Sequence, residues 1–450
     1  MKDLIAALPE GRVVTDPDVI DSYARDRTFL GPGQAAGAVL ARTRDEVATT
    51  LKWASAHRVP VVPRGAGTGL AGAATAIEGC LILSLHRMTA ITELSPADEI
   101  AVAQPGVITA DLDRAARAHG LMYAPDPSSY EISTIGGNLA TNAGGLRCVK
   151  YGVTRDSTLG LEVVLADGRV LNTGRRTMKG VTGYDLTGLF VGSEGTLGVI
   201  TEATLRLRRA PAEPPATIAA EFTSFRDAAA AVAAIIAAGC QPSMLELLDR
   251  ATLKAIDDWK HIGLEAATQA MLIGQSDAAD SATAIARMGE LCEENGATFA
   301  AVSSTPQEAE ELVAVRRLAY EAKERLGACL VEDVCVPRSA LPEMISAVEA
   351  AGARHDVLIC TVAHAGDGNV HPVFVFDRGF AEPPPQVWAA ADEVFRAALR
   401  LGGTLTGEHG VGLLKRRWLA LEAGPVVTGL QREIKAVFDP LNIMNPGKAI

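Results

Sequence analysis

Val59–Gly72, VPVVPRGAGTGLAG, reads as a short strand running into four glycines within eight residues. Such a loop can turn backbone N–H groups inward around an anion, and the missing Cβ atoms permit close approach. Gly67-Thr68-Gly69-Leu70-Ala71-Gly72 formally matches the G-x-G-x-x-G of a doubly wound dinucleotide fold. The downstream sequence excludes that fold. Residues 73–85, AATAIEGCLILSL, read as a strand leading away, not as a helix whose N-terminus could hold a pyrophosphate. No GK[ST] is present either, so this is no Walker loop. The plainer reading, a glycine turn without a ligand, needs a second loop to displace it.

That loop lies downstream. Residues 125–145, PDPSSYEISTIGGNLATNAGG, carry small hydroxyl, amide and glycine residues with few charges. Donors at this density suit a polar planar ligand and its phosphates better than a packed core, which would leave them unpaired. Around the two loops the chain reads as mixed α and β. Upstream come a strand at Ala38-Val39-Leu40 and a helix from Asp45 to His57, capped by Thr43 with Glu46 three residues on. Downstream, a hairpin turns about Asp167-Gly168, and GSEGTLGVIT (Gly192–Thr201) leads into the strand Ala203–Leu207. Arg209–Pro215, RAPAEPP, is a proline-rich boundary. Beyond it strand, Ala-rich helix and strand alternate twice: TIAAEF, the helix Phe225–Ala238 and MLELLD, then AMLIGQ, the helix Asp280–Asn295 and TFAAVSS. This predicts a ferredoxin-like antiparallel α+β domain.

A second chemistry sits in Thr361–Phe376, TVAHAGDGNVHPVFVF. Asp367-Gly368 at the tip of a two-residue type I′ loop pairs Gly366 with Asn369, Ala365 with Val370, and His364 with His371. Two imidazoles then share one face and can converge on one ion. A third ligand is available in Gly402–Gly412, where Glu408 and His409 stand side by side in a glycine-rich loop. Two His and a carboxylate with open positions describe a catalytic metal rather than a closed structural one, and leave His409 as a base. The bland alternative is a chance pair on a hairpin. The remaining five histidines (His57, His86, His119, His261, His355) sit singly and read as surface or capping residues. On the helix Pro306–Leu326, Arg316-Arg317 is either a solvated face or a clamp for a carboxylate.

Composition narrows the classes. The chain has 450 residues, 48% hydrophobic and 21% charged, with a net charge of −12 and no basic run interleaved with aromatics, which argues against nucleic acid. No apolar stretch is long enough to span a bilayer, and the N-terminus, MKDLIAALPEGRVV, is broken by Glu10 and Pro9 before any signal-peptide core. Seven cysteines without a CxxC predict reduced, mostly buried thiols and a cytoplasmic setting.

Five motifs, PRGAGTGL, PSSYEISTIGGNLATNAGG, GSEGTLGVIT, HAGDGNVHP with GEHGVG, and NPGK, occur in one order over nearly the whole chain. In this they resemble the FAD-linked oxidases of the vanillyl-alcohol oxidase/p-cresol methylhydroxylase fold, in the branch of D-lactate dehydrogenases and glycolate oxidase D subunits. The resemblance implies an α+β architecture. A two-subdomain FAD-binding domain takes residues 1–210, a ferredoxin-like substrate (cap) domain with the metal site takes 211–415, and 416–450 returns to the FAD domain. It implies that FAD is held by Pro63, Arg64, Gly65, Ala66, Gly67, Thr68 and Gly69. Pro127, Ser133, Thr134, Gly136, Gly137, Asn138, Ala140 and Gly144 would hold it from the second loop, with Glu194, Gly195 and Ile200 on the adenosine side and Asn445 from the tail. Some relatives tether the flavin through a His in the first loop; Thr68 stands there, which predicts non-covalent FAD. By the same resemblance His364, His371 and Glu408 bind zinc, manganese or iron. His409 is the base, and Arg316, with Arg317 as the alternative, grips the substrate carboxylate. The implied reaction is metal-assisted hydride transfer from C2 of a D-2-hydroxy acid to flavin N5.

Branch members acting on 2-hydroxyglutarate tend to show Lys-Tyr-Asp before the Val-Pro and an Asn after the second His. Here Val331-Glu332-Asp333 and Pro372-Val373 stand instead, which favours a monocarboxylate, D-lactate or glycolate. The electron acceptor stays open among a quinone, a cytochrome, an electron-transferring flavoprotein and an iron–sulfur partner subunit, and with it a peripheral association with the inner membrane through a partner. A homodimer is compatible. Rival readings are a D-2-hydroxyglutarate dehydrogenase, a metal-dependent hydrolase using the same His, His and Glu, and a non-catalytic subunit of a glycolate oxidase.

Overall fold

The computed structural model describes residues 1–450. Contacts divide the chain into two units, residues 1–144, 152–210 and 408–450 in the first and 145–151 with 211–407 in the second. The short segment 145–151 and the residues from Glu408 to Lys415 therefore sit in different units from those the sequence alone suggests. No helix is long and apolar enough to cross a membrane.

The first unit has a two-stranded sheet that pairs Leu121–Met122 with Arg208–Arg209, and two larger sheets. One orders Val13–Val14, Gly37–Leu40, Leu81–Ser84 and Val61–Arg64, with the last three parallel to one another. Its buried apolar strands pack with Val47, Leu51 and Ala54 of the helix Arg44–His57. Thr43 starts that helix by accepting from the Glu46 amide, and Arg58, left-handed at φ 54°, ends it. The second sheet is antiparallel, Ile91–Ser95, Ile100–Ala103, Val199–Arg206, Thr158–Val164 and Val170–Gly174, and encloses a core that includes Leu161, Val163, Leu205 and Phe190. A helix at Pro17–Ala24 is opened by Asp16, with Pro17 at its first turn. The tail returns beside the first sheet, where the Val61 amide donates to Ile443 and the Asn445 amide to the Val61 carbonyl (2.7 and 2.8 Å).

The second unit is built on one antiparallel sheet. Its strands run in the order Ala297–Val302, Ala216–Phe222, Ala270–Ser276, Met244–Asp249, Leu358–His364, Asn369–Phe376 and Ala328–Val331. Numbered along the chain, the first four give the 4-1-3-2 order of a ferredoxin-like sheet, and the hairpin extends it.

The hairpin register differs from the expected one. His364 pairs with Asn369, Ala363 with Val370 and Val362 with His371. A type I′ turn needs positive φ at both Asp367 and Gly368, but only Gly368 has it, at 88°. Instead four residues, 365–368, form the loop. The Asp367 and Gly368 amides donate to the His364 carbonyl, and Asp367 Oδ1 accepts from the Asn369 amide. The register slips by two residues, an even number, so both histidines keep the same face.

Candidate functional site

In the first unit the glycine-rich segments meet. A Cβ on Gly65 would lie 2.4 Å from Thr134 Oγ1, and one on Gly195 3.0 Å from Pro63. Gly67, at φ 75°, lies under the Arg64 guanidinium, which any side chain would strike. Asn445 donates from Nδ2 to the carbonyls of Glu194 (2.7 Å) and Ala73 (3.0 Å). Several of the expected cofactor side chains are engaged within the protein. Ser133 bonds Thr109, Asn138 donates to Thr109, and Thr134 caps the helix Ile135–Thr141. Ile200 lies in the sheet core, the Ala140 carbonyl accepts from the Glu194 amide, and a Cβ on Gly136 would strike Pro105. Pro127 is buried, and its carbonyl closes a turn with the Tyr130 amide. What these segments leave to a ligand is mostly backbone. The half-buried amides of residues 66–70, among them Ala66 and Thr68, meet no protein acceptor. Gly69 has no neighbour closer to a built Cβ than Asp26 Oδ2 at 4.0 Å. A run of undirected amides with open space over a glycine fits an anionic pyrophosphate.

Glu194, expected on the adenosine side of the cofactor, is engaged within the protein through both carboxylate oxygens. It is 5% exposed, left-handed at φ 51°, and accepts at 2.8 Å from the Val411 amide on Oε1 and from the Gly412 amide on Oε2. Its carboxylate thus holds the loop that carries Glu408 and His409. Burial pushes its pKa up to about 7, against the pull of the two amides, Lys448 and Lys415. Gly144 contributes closeness to the same loop, since a Cβ there would sit 2.6 Å from Glu408 Oε2.

In the second unit His364 and His371 are each 6% exposed, their rings 4.8 Å apart and nearly perpendicular. Glu246, which no motif flags, sits directly opposite His364 on the neighbouring strand and accepts from His364 Nδ1 at 2.7 Å through Oε1. Its Oε2 accepts from Arg316 Nε at 2.7 Å. Arg316 is thereby distinguished from Arg317, whose side chain is 59% exposed and pairs with Glu310. Asp333, also buried, accepts from Thr406 Oγ1 (2.9 Å) and the Gly407 amide (2.7 Å), and a Cβ on Gly407 would collide with Asn369. Gly407 is held on both sides just before Glu408. Glu408 itself belongs to the first unit. Two imidazoles this close, one of them backed by a carboxylate, are a donor set that fits a divalent cation. The only sequence signal for Glu246 is an acidic residue between Leu245 and Leu247 in the strand MLELLD, and a strand pattern does not say which neighbour it faces.

A family described as "FAD linked oxidases, C-terminal domain" matches residues 212–449, and one described as "FAD binding domain" matches 35–174. The chain is 43% identical to glycolate oxidase subunit GlcD of Bacillus subtilis, covering 95% of this chain and 91% of that protein. It is 35% identical to a D-lactate dehydrogenase of Archaeoglobus fulgidus, covering 96% of each. Among solved structures, p-cresol methylhydroxylase with substrate bound superposes with a TM-score of 0.82 at 17% identity, covering 100% of this chain and 95% of that one.

Proposed function

Because the chain belongs to the FAD-linked oxidases and is an enzyme of hydroxy-acid oxidation, we propose that it oxidises a small D-2-hydroxy acid, D-lactate or glycolate, to the 2-oxo acid. The observation that carries this reading is the enclosed row of Arg316, Glu246 and His364 beside His371. A guanidinium suited to a carboxylate and an imidazole pair suited to a cation are what a 2-hydroxy acid presents groups to.

Non-covalent FAD, when bound, supplies the two-electron redox chemistry, and the open amides of residues 66–70 serve its phosphates. His364, His371 and Glu408 would hold zinc, manganese or iron, which would supply Lewis acidity. Arg316 grips the substrate carboxylate and fixes which face of C2 reacts. His409 takes the hydroxyl proton, in a loop whose backbone Glu194 keeps in place. A monocarboxylate is favoured because Val331-Glu332-Asp333 and Pro372-Val373 stand where 2-hydroxyglutarate members of the branch tend to carry Lys-Tyr-Asp and an Asn, the partners for a second carboxylate. Electrons leave to a non-nicotinamide acceptor, a quinone, cytochrome, electron-transferring flavoprotein or iron–sulfur partner.

The test is an anaerobic absorption spectrum with D-lactate, L-lactate, glycolate and D-2-hydroxyglutarate in separate cuvettes. Bleaching by D-lactate or glycolate is expected. Bleaching by D-2-hydroxyglutarate alone would move the substrate to a dicarboxylate. No bleaching by any of the four would end the substrate assignment and leave the family membership intact.

A further inference from the structure

Glu246 occupies a position that an apolar side chain would fill at lower cost. It lies on the inner strand Met244–Asp249, between Ile273 on one neighbour and His364 on the other, and its side chain has no exposure at all. Taking a carboxylate out of water costs several kcal/mol, about as much as a domain's whole margin of stability, unless every acceptor is used well. Both oxygens are used, one by each of two residues with separate chemical tasks, His364 and Arg316, at 2.7 Å in each case.

The two bonds have a chemical consequence beyond holding elements together. A carboxylate paired with a guanidinium offers only acceptors, so the proton of a neutral His364 sits on Nδ1 and the lone pair on Nε2. That is the tautomer able to coordinate a cation through Nε2. On the other side, Glu246 takes the Arg316 Nε–H, which fixes the plane of the guanidinium and leaves its Nη groups to a second anion. Resting on the proposed function, we propose that Glu246 is a positioning residue that sets the His364 tautomer and the Arg316 orientation with one carboxylate, tying cation binding to the hold on the substrate carboxylate.

Glu246→Gln separates this from a merely structural ion pair. The Gln carbonyl can still accept from Arg316, which keeps the helix Pro306–Leu326 attached, but its NH2 then faces His364 Nδ1. The ring must accept there, its proton moves to Nε2, and the lone pair for the cation is lost. Metal-stripped, FAD-loaded protein is titrated with Zn2+ and with Mn2+, and bound metal is measured after dialysis. Glu246→Gln is expected to keep the flavin spectrum and bind both ions about 10–100-fold more weakly than wild type. Arg316→Ala, which leaves the Glu246–His364 bond in place, is expected to hold metal within a few-fold of wild type. Equal affinity in Glu246→Gln and wild type would overturn the role of Glu246 alone. Equal loss in Glu246→Gln and Arg316→Ala would make the pair structural and overturn it too. Wild type that binds neither ion would overturn the cation site itself, and this inference with it.

Discussion

Arg316 and Arg317 are neighbours on one helix and indistinguishable by composition, yet only Arg316 turns inward to a buried carboxylate. Arg316→Ala should raise KM for the hydroxy acid by about one to two orders of magnitude, since a charge-assisted pair is worth about 1.5–3 kcal/mol. Arg317→Ala, which removes an exposed pair with Glu310, should leave KM within two-fold, roughly the worth of a surface ion pair. Steady-state kinetics on both variants checks the contrast, and a large effect of Arg317→Ala would move the clamp. His409→Ala should keep flavin bound but abolish its reduction in stopped-flow mixing with substrate; unchanged reduction would remove His409 as the base.

Elements hold these residues by short-range chemistry that crosses long sequence distances. Glu194 fixes the 410–412 backbone through two amide bonds while its own pKa is raised from 4.5 to about 7. The folded carboxyl keeps its proton to about pH 7, whereas the unfolded one releases it near 4.5. Its contribution to stability is therefore fully present below about 4.5 and lost as pH rises to about 7. Across that window the unfolding free energy of Glu194→Gln, which cannot titrate, should rise relative to wild type in parallel denaturant melts. A constant difference would mean that Glu194 titrates normally. In the second unit Asp249 caps the helix Arg250–Lys260 and accepts from the Thr361 amide of the strand that carries His364. Lys323 is fully buried, its pKa brought down to about 8 by burial and held up first by Asp249. Asp249→Ala should cost about 3 kcal/mol, because it removes a cap and leaves the Lys323 charge without its counter-ion. A loss under about 1 kcal/mol would show that neither contribution matters.

At the scale of the whole molecule the chain leaves its first unit for 145–151 and again for 211–407, and comes back for its last 43 residues. A cofactor held by segments so far apart in sequence stabilises the folded state alone. FAD at about a hundred times its Kd should add roughly 2.7 kcal/mol to unfolding, read as a rise in Tm when flavin-free protein is reloaded. No rise on reloading would mean that the open amides of residues 66–70 do not serve this cofactor.

Local order sufficed for much of the fold. Periodicity and caps determined the helix Pro306–Leu326, the strands on either side of Asp167-Gly168 and the ferredoxin-like alternation, because those patterns depend on near neighbours alone. The glycine run at Gly65–Gly72 excluded a Rossmann helix because a strand, not a helix, comes after it. Even the histidine pair kept its shared face although the loop was two residues longer than a type I′ turn, since strand faces alternate with period two. Only the tertiary structure decided that Glu246 meets His364, that Arg316 rather than Arg317 joins them, and that Glu194 spends its carboxylate on the 411–412 amides. Each of those contacts spans 70 residues or more. A buried carboxylate takes its role from whichever donors reach it, and no local pattern records which those are.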